Sequence, residues 1–325
     1  MDTKNKIILF LFSLFLFLYP LLVTNKYYIS VMVVVGFHSL IVIGLGMVMG
    51  YAGQISLGHA AFYGLGAYSS GILCTRYHLN PWLAILCGLI ITGIIAYIIG
   101  VPSLKLKGHY LAMATLGFGE IIYIIFNELS FLTGGPSGMT GIPYLSIGGF
   151  SLDTDLRFYC LLWSVILIFI ILSLNIVNSR VGRALRAIHG SETAACCMGI
   201  NVTNYKVQIF VLSAIMASLA GSFYAHFVTF ISPSSFGFMR SIMLATMVVI
   251  GGMSDIWGAC LGAIILTILP EYLHFFHDYE ILIFGIILMI IMILMPKGLF
   301  VGIMDSLQGI KNRLFIQDHE PSSHS

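Results

Sequence analysis

Glu120, in the run LGFGEII, is a carboxylate set well inside an apolar segment. At the centre of a bilayer such a group costs about 3 kcal/mol on insertion scales, so it faces a bundle interior and has work to do. That work is gating, contact with a passing solute, or, once protonated, bracing two helices. No Lys or Arg lies deep inside an apolar run to pair with it, so an ion-pair switch or proton relay lacks a second member. Gly53, Gln54, Ser56 and His59 form a second polar set within GYAGQISLGHAAFYGLGAYSSG, residues 50–71. Irregular backbone and polar side chains at membrane depth need surrounding protein or a water-filled cavity. These four and Glu120 are therefore assigned to a translocation path. His274 and His277 have the spacing of a metal-binding pair on one helical face, with Glu271, Asp278 and Glu280 nearby. They fall in a short polar connection and read as a solvated loop, so neither a metal nor another cofactor is expected.

The third set is residues 179–206, SRVGRALRAIHGSETAACCMGINVTNYK. Arg180, Arg183 and Arg186 open it and Lys206 closes it, with Gly190 and Gly199 dividing it into two helical pieces. Ser191 is placed to cap the second piece and Gly199 to end it in the left-handed conformation. The helix between them, residues 192–198, spans about two turns and is too short to be stable alone in water. Such a helix makes sense as a docking element for another chain. No G-x-x-x-x-G-K-[ST] motif occurs, so any ATPase that drives it is a separate chain. Arg183, Arg186, Glu192, Thr193, Ala194, Ala195 and Gly199 are the residues assigned to this coupling. Ala194 and Ala195 are read as small because a groove wall approaches them, and Arg183 and Arg186 as facing acidic groups or anionic lipid. No Ser-His-Asp or His-Glu-x-x-His arrangement is present, and the chain is not read as an enzyme. The Asn201-Val202-Thr203 sequon is discarded because the topology below makes it cytoplasmic.

These residues must be positioned by membrane-spanning helices. The 325 residues are 59% hydrophobic and only 9% charged, with mean hydropathy +1.00, against about 25% charged in soluble domains. The fold expected is an all-α polytopic membrane protein. Apolar stretches long enough to cross about 30 Å fall near residues 7–23, 29–50, 59–74, 82–101, 109–126, 157–177, 207–228, 238–250, 256–270 and 280–296. That makes about ten crossings, or eight and a re-entrant hairpin. With the N-terminus inside, eleven of the fifteen Lys and Arg fall on the inner side and only Lys26, Arg76, Arg157 and Arg240 outside. Both termini and residues 179–206 are then cytoplasmic. The first span is kept as uncleaved, since no small-x-small site follows Leu22.

Three breaks interrupt the pattern: residues 50–71, GGMSDIWG at 251–258 with Asp255, and SPSSFG at 232–237. The first and third follow the second crossing of each half with opposite orientation, the mark of an inverted repeat. Small residues at fourfold spacing (Ala60 and Gly64, Ala67 and Gly71, Ala217 with Gly221 and Ala225, Gly258 and Gly262) let helix backbones approach closely. The six cysteines show no paired spacing, and Cys196 and Cys197 read as small apolar residues. Residues 1–300 form one permease-like domain interrupted by the 179–206 loop, and 301–325 a short cytoplasmic tail.

GYAGQISLGHAAFYGLGAY, KLKGHYLAMATLGFGEII, LTGGPSGMTGIP, GRALRAIHGSETAACCMGINVTNYK and MVVIGGMSDIWGACLGAII occur in this order. Together they resemble the permease subunits of branched-chain amino acid ABC importers, closest to the M type (LivM family), from about residue 28 to 300. The resemblance implies import of leucine, isoleucine and valine across a bacterial inner membrane. It implies as partners a homologous H-type permease, two ATP-binding cassette ATPases, an external solute-binding protein and membrane lipid; nucleic acid is not among them. The loop is similar to the importer pattern E-A-A-x3-G-x9-I-x-L-P at Ala194, Ala195, Gly199 and Ile209. It departs at Thr193, Val211 and Leu212, with Glu192 one position early. The residues alone leave urea, short amides or other amino acids open as cargo, and an ion-coupled secondary transporter as the other class.

Overall fold

Asparagine side chains start three of the long helices. Asn25 accepts from Tyr27 N, Asn80 from Trp82 N and Asn201 from Asn204 N, each satisfying a free amide of a first turn. In this computed structural model residues 3–23, 25–106, 108–147, 150–253, 255–273, 279–294 and 298 are described. His274, His277, Asp278, Lys297 and the 301–325 tail lie outside them. The first five helices are α1 (Thr3–Leu22), α2 (Lys26–Gly46), α3 (His59–Tyr77), α4 (Pro81–Ser103) and α5 (His109–Glu128). After a four-residue α6 (Ser130–Thr133) come α7 (Asp155–Asn178), α8 (Arg180–Gly190), α9 (Glu192–Cys197) and α10 (Val202–Val228). The described chain closes with α11 (Phe238–Gly251), α12 (Ile256–Leu273) and α13 (Glu280–Leu294). Every expected crossing is a helix, and eight described spans are long and apolar enough to traverse a membrane. Almost no sheet accompanies them: Met139–Thr140 pairs antiparallel with Phe230–Ile231, and Ser146–Ile147 with Phe150–Ser151.

α2 is the axis of the bundle. It is apolar all round and buried from Val35 to its end, as a helix enclosed by others must be, with α7, α10, α11 and α12 against it. Its last turn widens into a π-turn at Met47–Tyr51 before the chain breaks. The two halves answer one another: α3 packs on α10 and α4, while α11 packs on α2 and α12. His59, the first residue of α3, bonds Ser213, eleven residues into α10. Arg240, the third residue of α11, bonds His38, twelve residues into α2. At 1.5 Å per residue both junctions lie about 17–18 Å along their long helices. This is the relation expected of an inverted repeat with two broken helices. It corrects the outer placement of Arg240: the chain re-enters after α10, and α11 starts part-way down the bundle.

Gly221 acts where its spacing predicts, and Gly66, outside the fourfold pattern, joins it. A Cβ on Gly221 of α10 would collide with Tyr63 O of α3, and one on Gly66 of α3 with Ser218 O of α10. The α3–α10 crossing is therefore backbone on backbone. Gly221→Val is expected to abolish recovery of monodisperse permease on size exclusion, while Gly117→Ala, whose Cβ would meet nothing within 4 Å, leaves recovery unchanged.

Candidate functional site

The loop after α7 folds as two capped helices. Ser179 Oγ accepts from Val181 N to start α8, and Ser191 Oγ from Ala194 N to start α9. Gly199 (φ 79°) ends α9, with Gly199 N donating to Cys196 O and Ile200 N to Ala195 O. α9 is amphipathic in use: Ala195 is 3% exposed against its own chain, whereas Thr193, Ala194, Cys196, Cys197 and Met198 face outward. The expectation that both alanines meet a partner is thus corrected, since only Ala194 is on the open side. Cys196 and Cys197 are exposed free thiols on the same helix.

Charges expected to face a partner are partly spent within the chain. Glu192 forms an ion pair with Lys206 of α10, whose side chain is 4% exposed. Arg186 donates to Val177 O at 2.7 Å and to Gly182 O at 3.3 Å, closing the carbonyl end of α7 where a cation is favoured. Arg183 remains exposed. His189, at the end of α8, approaches the first break: its Nδ1 lies 2.8 Å from Gly50 O, so this proton is donated to the carbonyl. A Cβ on Gly50 would collide with Met253 O, so α8, the π-turn and the α11–α12 junction converge there. Asp255 caps α12 at the same end by accepting from Trp257 N.

Of the path residues, Gln54, Ser56 and His59 are 1–2% exposed inside the bundle. Ser56 Oγ is 3.0 Å from His59 Nδ1 and Ser213 Oγ 2.7 Å from His59 Nε2, so the imidazole is saturated by its own chain. Neither amide atom of Gln54 has a hydrogen-bond partner among the described residues. Gly53 is not interior. It is exposed with φ 66° and packs beneath the His189 ring, a position set by the turn the π-helix makes. Glu120 is not interior either: it is exposed on the outer face of α5, among exposed Met113, Ile121, Ile124 and Ile125. Three contacts were not expected from the sequence: Lys206 as an ion-pair member, the His189–Gly50 link, and an Arg240–His38–Thr267 chain. An arginine three residues into an apolar helix was the available signal for the last.

Broken half-helices meeting long apolar ones, with a capped helical loop at one end, define a polytopic membrane protein of the transporter class. The chain matches the family described as branched-chain amino acid transport system / permease component over residues 27–295, and it belongs to that family. It is 32% identical over 280 residues to the LivM permease protein of Salmonella typhimurium, a match covering 79% of this chain and 66% of the relative. The corresponding figure for LivM of Escherichia coli K12 is 33%, with the same coverage. LivH of Salmonella typhimurium is 27% identical over 281 residues, 81% of this chain and 90% of the relative. The chain thus spans about two thirds of the LivM proteins it resembles. No solved structure matches it significantly.

Proposed function

We propose that the chain is the M-type permease of an ATP-driven importer of leucine, isoleucine and valine. It would lie in a bacterial inner membrane with both termini and residues 179–206 cytoplasmic. It works with a homologous H-type permease, two ATPase subunits and an external solute-binding protein. The observation that carries this reading is α9, a short helix rigidly capped at both ends with an open outer face. A helix this short persists only when tertiary contacts hold it, and an outer face left open on such a helix supports a docking role. Closure of the ATPases moves α9. The Glu192–Lys206 pair passes the movement to α10, and His189 passes it to the π-turn of α2. Co-purification tests the reading against an ion-coupled transporter: the permease pair should retain the ATPases through size exclusion. Recovery of a permease that transports without them contradicts it.

Exposed Glu120 is assigned to the face that meets the second permease, where the carboxyl is removed from lipid and borders the path. Glu120→Leu is expected to leave the melting temperature of the isolated chain unchanged and to lower uptake by the assembled complex. A lowered melting temperature of the isolated chain would return Glu120 to a structural role.

A further inference from the structure

Arg240 sits at the wall of a cavity of about 410 Å³ between α11, α12 and α13, within the ~300–1,000 Å³ range of small-molecule sites. The cavity is otherwise mostly apolar, with Met243 and Thr246 from α11, Leu266 from α12, and Phe284 and Leu288 from α13. One edge of the guanidinium is fixed. Nη1 is 3.2 Å from His38 Nε2 and 4.0 Å from Met243 Sδ, and Nε donates to Ser235 O at 3.4 Å. A guanidinium only donates, so His38 Nε2 accepts and His38 Nδ1–H donates to Thr267 Oγ1 at 2.8 Å. This chain holds the arginine from behind, about 18 Å along α2 from its start. Nη2 has no partner among the described residues, and no described carboxylate pairs with Arg240.

A half-buried cation with two free donors, opening on aliphatic and aromatic walls, suits a ligand with a carboxylate at one end and a branched apolar group at the other. We propose that this cavity is a subsite for the α-carboxylate of an apolar amino acid inside the permease. Arg240 Nη2 receives the carboxylate, and Met243, Phe284 and Leu288 enclose the side chain. The inference rests on the importer reading and adds to it a resting place for the solute.

The test uses the assembled complex and photo-leucine, the diazirine analogue of leucine. Irradiation should label peptides containing Met243 or Phe284. Excess leucine or 4-methylpentanoate, which keep the carboxylate, should compete, and leucinol, which lacks it, should not. Arg240→Gln should reduce labelling roughly tenfold or more, with partial recovery in Arg240→Lys. Leu288→Trp, which fills the cavity from α13 without altering the arginine, should block labelling while the complex still assembles. Labelling confined to other segments, equal competition by leucinol, or full labelling in Arg240→Gln overturns the subsite. So does native mass spectrometry that finds a phospholipid held by wild type and lost in Arg240→Gln. ATP-driven uptake measured in the same preparation separates the two claims. Wild-type uptake with no label at this cavity overturns the subsite alone. No wild-type uptake overturns the importer reading and the subsite with it.

Discussion

Ala194→Trp is expected to leave the permease folded and inserted, to release the ATPases and to abolish uptake. Ala194 is on the open face of α9, in a helix whose position is set by Ser191, Gly199 and the buried side of Ala195. An indole added there disturbs nothing within the chain but cannot enter a cleft shaped for a methyl group. Ala195→Trp is the contrast. At 3% exposure the new ring must displace the chain's own packing, a strain of about 1–3 kcal/mol or more, so folded yield itself should drop. Fluorescence-detected size exclusion, ATPase pull-down and uptake measured side by side distinguish the two. An Ala194→Trp complex that assembles and transports like wild type would remove α9 from the coupling role.

The second large effect is expected at Glu192. Glu192→Gln leaves the Lys206 ammonium, 4% exposed, without its counter-charge. Breaking a buried pair from one side costs about 3 kcal/mol or more, and the cost falls on the contact between α9 and α10. Lys206→Met should cost less, because the Glu192 side chain is 30% exposed and keeps access to water. The double variant Glu192→Gln/Lys206→Met should be milder than Glu192→Gln alone. Protease protection of residues 179–206 and the uptake rate are the readouts. Equal protection in wild type and Glu192→Gln would show that the pair is no strut.

What was legible in the sequence was whatever has a local chemical signature. Ser191 and Gly199 bound α9 because a serine hydroxyl and a positive φ are short-range requirements. The ten apolar stretches all became helices, and small residues of α3 and α10 meet where the two helices cross backbone on backbone, because such approach needs small residues whatever the partner. The side of a helix was not legible. Between Leu111 and Phe126 α5 carries apolar residues on its buried and exposed faces alike, so its pattern does not say whether Glu120 points to its own bundle or away from it. Arg240 was misplaced for a related reason. Alternating crossings put it in an outer connection, whereas pairing with His38 requires re-entry after α10, which the break at 232–237 marks but does not place in depth. Arg186 and Glu192 look alike in the sequence to charges awaiting a partner. Only tertiary structure shows Val177 O and Lys206 already satisfying them.

The most direct measurement is uptake by proteoliposomes containing this chain, its neighbouring permease and ATPases, with the external binding protein supplied outside. Leucine, isoleucine, valine and urea are offered in turn, with and without ATP in the lumen. The expected result is accumulation of the three branched amino acids only with ATP, no accumulation of urea, and loss of uptake when Ala194→Trp replaces the wild-type chain. Uptake driven by an ion gradient without ATP, or ATP-driven uptake of urea in place of the amino acids, would contradict it.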